Sequence, residues 1–111
     1  MLLLIDQTRR FTDDRECILA RTPDAALRAL IKHGDKIKII WIDNEFGPGP
    51  KGSIKPVLDF LAVKAKLGQK SVNVINVHAP TEAGWQIIQA KLAPVGYLVR
   101  RETIRGQLGA Y

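Results

Sequence analysis

Acidic residues and a histidine follow three of the apolar runs in this chain. Asp6 ends the first run, Asp43 and Glu45 follow the central run, and His78 follows a later one. The carboxyl ends of parallel strands meet at one edge of a sheet, where ligands of such sheets bind, so we expect these side chains to be neighbours. Carboxylate oxygens are the ligands that Mg²⁺ prefers, so Asp6, Asp43 and Glu45 are candidate ligands for Mg²⁺ or a similar divalent cation.

Other polar residues near these positions could bind a phosphate group or move a proton. Arg9 could donate two parallel hydrogen bonds to phosphate oxygens, a geometry that lysine cannot reproduce. Thr81, at the start of a predicted helix, is the second candidate phosphate ligand. His78 could act as a proton donor and Asn44 could orient a ligand, so with Asp43 they form the candidate catalytic set.

Each of these residues also has a structural interpretation. Asp6 and Asp43 could end strands and cap the turns that follow. Arg9 stands beside Arg10, and the two could be a solvated pair. A histidine after an apolar strand, such as His78, is more often a hydrogen-bonded, half-buried imidazole than an acid catalyst. Both interpretations stay open from the sequence.

The elements that must position these side chains follow a β-β-α-β-α-β-α-β pattern. We expect strands near 2–5, 17–20, 37–42, 71–77 and 97–99 from their apolar and β-branched residues. Thr22, Ser53 and Thr81 are predicted to cap three helices. Because helices separate the later strands, the pattern predicts a three-layer α/β/α sandwich with a five-stranded, mostly parallel sheet. The polar interval 7–16 is expected to replace a helix.

Length and charge limit the possible domain organisation and partners. With 111 residues, the chain can build one domain, predicted over 1–101, and the tail 102–111 carries little pattern. A formal charge of +6 favours anionic partners such as phosphates or nucleic acid, although it also serves solubility. The opening run is too short for a membrane span or a signal peptide, so we expect a cytoplasmic protein with no membrane partner. Cys17 is predicted to be a buried structural thiol.

Three short motifs resemble those of the cyclic-phosphate-processing receiver-like domains, a branch of the response-regulator receiver fold. That family shows Asp-Asp-x-Arg, Leu-Asp-His-Asp-Leu-Gly and Val-His-Ser-x-Asn after its first, third and fourth strands. The corresponding stretches here are Asp6-Gln7-Thr8-Arg9, Ile42-Asp43-Asn44-Glu45-Phe46-Gly47 and Val77-His78-Ala79-Pro80-Thr81. The resemblance spans residues 1 to about 100. It implies a flavodoxin-like, receiver-like fold and metal-dependent phosphoesterase chemistry on a cyclic-phosphate nucleotide or an RNA end.

Departures from the family pattern define three functional hypotheses. Gln7, Asn44 and Ala79 replace an acid, a histidine and a hydroxyl of the motifs. The first hypothesis is a domain that binds a phosphorylated ligand and could also hydrolyse it. The second is a non-catalytic interaction module that binds a protein or nucleic acid. The third is a signalling receiver phosphorylated on Asp43, which Gln7 and Ala79 make the weakest of the three.

Overall fold

The computed structural model describes residues 1–13, 15–43, 53–78, 81–102 and 108–110 of the chain. Its strands and helices alternate along most of that length. The described elements are β1 Leu2–Ile5, β2 Arg9–Phe11, β3 Ile18–Ala20, α1 Pro23–His33, β4 Ile39–Ile42, α2 Lys55–Lys66, β5 Val74–Val77, α3 Glu82–Leu92, β6 Leu98–Arg101 and β7 Leu108–Ala110. Single 3₁₀ turns at Gly34–Lys36 and Ala93–Val95 follow α1 and α3.

Five of the strands form one sheet in the order β3-β1-β4-β5-β6, and every neighbouring pair is parallel. The strand order reverses at β1, as it does in flavodoxin-like folds. The predicted α/β fold with a five-stranded, flavodoxin-like sheet is therefore confirmed. The observed strands β4 and β5 begin at Ile39 and Val74, two to three residues after the predicted starts.

Two of the three helix starts agree with the capping residues predicted from the sequence. The Thr22 hydroxyl accepts a hydrogen bond from the Ala25 amide at 3.0 Å at the start of α1. The Thr81 hydroxyl does the same for the Gly84 amide at 3.0 Å in α3. The prediction of Ser53 as the cap of α2 was wrong by one residue, because the N-cap is Ile54, which makes no side-chain capping bond. The Ser53 hydroxyl, one residue earlier, still accepts from the Lys55 amide at 3.1 Å. Each contact satisfies one amide of a first helical turn that has no partner within its helix.

One side of the sheet, here called the helix face, packs against the three helices. Alternate strand residues project from it because side chains of a strand point to opposite faces in turn. They form one buried cluster with residues of α1, α2 and α3, such as Leu30, Leu61 and Ile88. The strand members of that cluster include Leu3, Ile5, Ile40, Ile42, Ile75 and Val77. Ala62 lies in the buried stripe of α2, whereas Ala65 of the same helix is only partly buried.

The opposite side, here called the ribbon face, carries a smaller cluster. Leu4 and Trp41 lie side by side on β1 and β4, and Phe11 of β2 packs on them with its ring edge-on to Trp41. Strand β2 pairs with β7 in an antiparallel, two-stranded ribbon, with Arg9 opposite Ala110. The structure thus places a strand in the polar interval 7–16 and another in the tail, where the sequence showed little pattern.

Two further residues differ in their burial. Trp41, in the central strand β4, is buried. Cys17 is exposed, so its prediction as a buried thiol was wrong. It lies one residue before β3, which is an edge strand with one neighbour in the sheet, so little packs around its start. None of the helices in the described part of the chain is long and apolar enough to cross a bilayer.

Candidate functional site

Three polar side chains meet at the carboxyl edge of the sheet. Asp6, Asp43 and His78 each follow the last residue of β1, β4 and β5, which are adjacent strands. Their amides continue the sheet ladder, donating at 3.1 Å to carbonyl oxygens of the neighbouring strands. Because the preceding residues point to the helix face, these three side chains fall on the ribbon face. The sequence prediction that Asp6, Asp43 and His78 are neighbours is confirmed.

These three residues, here called the carboxylate–imidazole cluster, are withdrawn from solvent. Asp6, Asp43 and His78 are 0%, 3% and 1% exposed. One possible ligand atom from each lies within 4.8 Å of the others. Buried ionisable groups are expensive unless paired, and their convergence at one sheet edge is typical of a functional site. The cluster could hold a metal ion.

The Asp6 carboxylate is the centre of the hydrogen bonding. Its Oδ1 accepts from the amides of Thr8 at 2.9 Å and Arg9 at 2.8 Å. Its Oδ2 lies 2.7 Å from Nε2 of His78. Burial by itself raises the pKa of Asp6, but the hydrogen bonds from His78, Thr8 and Arg9 outweigh it and lower that pKa to about 2. Asp6 is therefore ionised at neutral pH.

An ionised carboxylate only accepts hydrogen bonds, and this determines which ring nitrogen of His78 carries a proton. Nε2 of His78 must carry the proton that is shared with Asp6. Nδ1 is buried and has no hydrogen-bond partner among the described residues. The centroid of the ring lies 5.9 Å from that of Trp41, so the indole side chain borders His78 on the ribbon face. His78 is fully buried, which goes further than the half-buried imidazole considered from the sequence.

Arg9 brings a positive charge to both carboxylates. Its Nη1 lies 3.8 Å from Oδ2 of Asp6 and 3.6 Å from Oδ2 of Asp43, and its side chain is 27% exposed. Strand β2 holds Arg9 there through its pairing with β7. Arg9 is therefore not a purely solvated surface residue. Its guanidinium lies at the border between the cluster and solvent.

Arg21 is a residue of this region that the sequence analysis did not single out. Its Nη1 donates to the carbonyl oxygen of Asp6 at 3.3 Å and to that of Arg9. These contacts join both ends of the turn 6–9, which carries the Asp6 carboxylate and the Arg9 guanidinium. The signal available in the sequence was its position directly after β3, at the same sheet edge as Asp6.

The remaining predicted site residues are not part of the observed cluster. The Thr81 hydroxyl caps α3 by accepting from Gly84, and its role as a phosphate ligand stays a prediction. Asn44 and Glu45 lie outside the described residues. Two surface clefts of about 490 Å³ each are lined by other residues, near Leu58 and near Phe60. The case for a site therefore depends on the convergence of charged groups and not on a cavity.

Trp85, in the first half of α3, is partly buried and packs against the helix-face core.

Comparison of the chain with protein-family models, with curated proteins and with solved structures found no match in any of the three.

Proposed function

We propose that this chain is a receiver-like domain that binds a divalent cation and a phosphorylated ligand at the carboxylate–imidazole cluster and hydrolyses a cyclic phosphate there. One observation carries the proposal. Two carboxylates and an imidazole from three adjacent strand ends are buried within 4.8 Å of one another, and Arg9 lies beside them. The resemblance of the strand-end motifs to cyclic-phosphate-processing domains supplies the substrate class, a cyclic-phosphate nucleotide or an RNA end.

The donor set fits a hard divalent cation. Asp6 and Asp43 supply carboxylate oxygens, and Nε2 of His78 is already engaged by Asp6. We therefore assign the cation to the two carboxylates, with Glu45 as the predicted third ligand, and Mg²⁺ is the ion that prefers such ligands. When bound, this cation would polarise a phosphoryl oxygen and lower the pKa of a bound water.

The protein side chains would perform the rest of the reaction. Arg9 can reach phosphate oxygens, since its side chain is partly exposed and its contacts to the carboxylates exceed hydrogen-bond length. Hydrolysis forms one bond from water oxygen to phosphorus and breaks one ring P–O bond, and the leaving alkoxide takes a proton. His78 is the candidate proton donor, with Asp6 fixing its orientation. Asn44 is the predicted ligand-orienting group.

Calorimetry and a hydrolysis assay test this proposal together. We expect the wild-type chain to bind Mg²⁺ or Mn²⁺ and to hydrolyse at least one member of a panel of 2′,3′- and 3′,5′-cyclic nucleotides and cyclic-phosphate RNA ends. Asp43→Asn should lose both properties by more than about tenfold, because a buried ligand charge is removed. The matched control is Asp59→Asn, which removes an exposed carboxylate paired with Lys55 and Lys91.

The results separate the two halves of the proposal. Metal binding that depends on Asp43, without hydrolysis of any panel member, would contradict the catalytic half only. Absence of metal binding by the wild-type chain, or equal losses in Asp43→Asn and Asp59→Asn, would contradict the whole proposal.

A second candidate function is a non-catalytic interaction module that binds a protein or nucleic acid. The observation in its favour is that Asp6 already accepts hydrogen bonds from Thr8, Arg9 and His78. A carboxylate so fully engaged can serve as a structural polar centre. A chain that binds neither Mg²⁺ nor phosphate in calorimetry, but retains an RNA oligonucleotide or a protein partner on a column, would support this function.

A further inference from the structure

Arg9 lies between two buried carboxylates, the position that a bound cation would also take. Its Nη1 is 3.6 Å from Asp43 and 3.8 Å from Asp6, nearly equidistant from the two Oδ2 atoms. We infer that Arg9 is an internal counter-cation, which competes with the divalent metal for the two carboxylates and is drawn away when phosphate binds. The inference depends on the proposed function and adds a coupling between its two ligands.

The distances show that Arg9 is attracted by the carboxylates without being hydrogen-bonded to them. Both N···O distances are longer than the range of about 2.7–3.2 Å that is usual for N–H···O hydrogen bonds. The exposed pair of Arg15 and Asp13 provides the contrast, with Nε to Oδ1 at 2.8 Å and a second, parallel contact to Oδ2. The Arg9 side chain can therefore leave without breaking a two-point hydrogen bond.

The backbone of Arg9 stays in place when its side chain moves. Its amide donates to Oδ1 of Asp6 at 2.8 Å, and its carbonyl oxygen accepts from Arg21. Strand pairing with β7 adds a second restraint. Movement of the guanidinium would therefore be confined to the side chain, and the Asp6 carboxylate would keep its orientation.

The electrostatics then oppose simultaneous binding of metal and Arg9. Two carboxylates in a buried site repel each other, and the Arg9 charge compensates for part of that repulsion. A divalent cation supplies the same compensation but repels a guanidinium a few ångströms away. A phosphate group offers the guanidinium a stronger, two-point partner. Phosphate should therefore strengthen metal binding, and by thermodynamic reciprocity metal should strengthen phosphate binding.

Calorimetric titration of Mg²⁺, with and without inorganic phosphate, tests this coupling. We expect Arg9→Gln to bind Mg²⁺ about tenfold more tightly than the wild type without phosphate, since one nearby positive charge is removed. Phosphate should tighten Mg²⁺ binding to the wild type several-fold and tighten it less in Arg9→Gln, where only the direct contact between phosphate and metal remains. Arg9→Lys keeps the charge and should bind Mg²⁺ like the wild type.

Arg10→Gln is the matched control, because it makes the same change of charge at the next residue of β2. It should behave like the wild type in both titrations. A titration of Mg²⁺ into phosphate without protein corrects for their association in solution. Circular dichroism checks that each variant is folded. If Arg9→Gln is not folded, the phosphate effect in the wild type decides, and its absence would overturn the inference.

The outcomes distinguish this inference from the function on which it depends. Mg²⁺ binding to the wild type with equal or weaker binding to Arg9→Gln overturns the counter-cation role and leaves the metal site standing. Mg²⁺ binding by both proteins, about tenfold tighter in Arg9→Gln, supports the competition. No Mg²⁺ binding by either protein overturns the proposed function and the inference with it.

Discussion

The two faces of the sheet are built from different chemistry although they share the same strands. On the helix face the buried residues are apolar and come from β1, β4, β5 and all three helices. On the ribbon face a small apolar cluster of Leu4, Phe11 and Trp41 lies beside buried polar groups. The buried polar or charged residues of the described chain are Asp6, Asp43, Asn76 and His78. Asn76 belongs to the ribbon face because it pairs in register with Trp41.

This difference separates what stabilises the fold from what could perform chemistry. Apolar burial on the helix face contributes to stability without any requirement for partners. Burial of Asp6 is favourable only because backbone amides and His78 satisfy its oxygens. A fold that needed stability alone would gain from apolar residues at these strand ends, so the retained charges favour a functional explanation.

The largest expected effect comes from removing the centre of the polar cluster. Asp6→Ala should lower the free energy of unfolding by about 3–5 kcal/mol, because it leaves buried donors of His78 and the turn amides unpaired. Leu61→Ala, on the helix face, should cost about 2–5 kcal/mol by opening a cavity. Urea unfolding measures both losses.

The two variants are expected to be destabilised to a similar degree, so unfolding alone does not distinguish the two faces. Calorimetry of Mg²⁺ binding does. Only Asp6→Ala should lose Mg²⁺ binding, and Leu61→Ala should keep it wherever the protein remains folded. Loss of Mg²⁺ binding in both variants would show that the faces are not separable in this way.

Acid unfolding gives an intermediate effect. The pKa of Asp6 is lowered from 3.8 to about 2, so its contribution to stability is present above pH 3.8 and is lost as the pH falls through about 2. That contribution is on the order of 2 kcal/mol. We expect stability to fall between about pH 4 and 2 in the wild type, and to fall less in Asp6→Asn, when measured by urea unfolding at each pH.

Asp13 provides the exposed counterpart of Asp6 in the same pH range. Its hydrogen bond from Arg15 lowers its pKa to about 2 as well, but it lies at the surface. Water screens such pairs, so Asp13→Asn should leave the acid dependence close to that of the wild type. Equal changes in Asp6→Asn and Asp13→Asn would contradict the special role of the buried carboxylate.

The smallest expected effects come from the helix caps, which offer a matched pair. Thr22→Ala and Thr81→Ala should each cost about 1 kcal/mol in urea unfolding, because each removes the acceptor of one helix amide. If Thr81 is also a phosphate ligand, only Thr81→Ala should weaken phosphate binding in calorimetry. Equal phosphate affinities in the two variants would leave Thr81 as a cap alone.

Regular elements and the core of the site were predictable because they have local signals. Thr22 and Pro23 mark the start of α1, and Gly34 adopts a left-handed φ of 53° at its end. Apolar runs that stop at Asp6, Asp43 and His78 indicated strand ends, and parallel pairing brings such ends together. Each of these features depends on residues that are close in sequence or on one rule of sheet geometry.

The ribbon could not be predicted in the same way. Strands β2 and β7 have three residues each and pair across nearly the whole chain. Three residues are too few to establish a period-two pattern, and the pairing partner is set by tertiary contacts. The exposure of Cys17 has a similar origin, since position at a sheet edge is a property of strand order and not of the residue.

The sequence by itself determined the alternation of strands and helices, the helix starts and the three polar strand ends. Hydrophobic periodicity and capping act over a few residues, and the sequence displays them directly. Only the tertiary structure decided that Asp6 binds His78, that Arg9 lies between two carboxylates, and that Arg21 fixes the turn carrying them. These contacts join separate strands and turns, and their distances are set by how the sheet and the ribbon pack together.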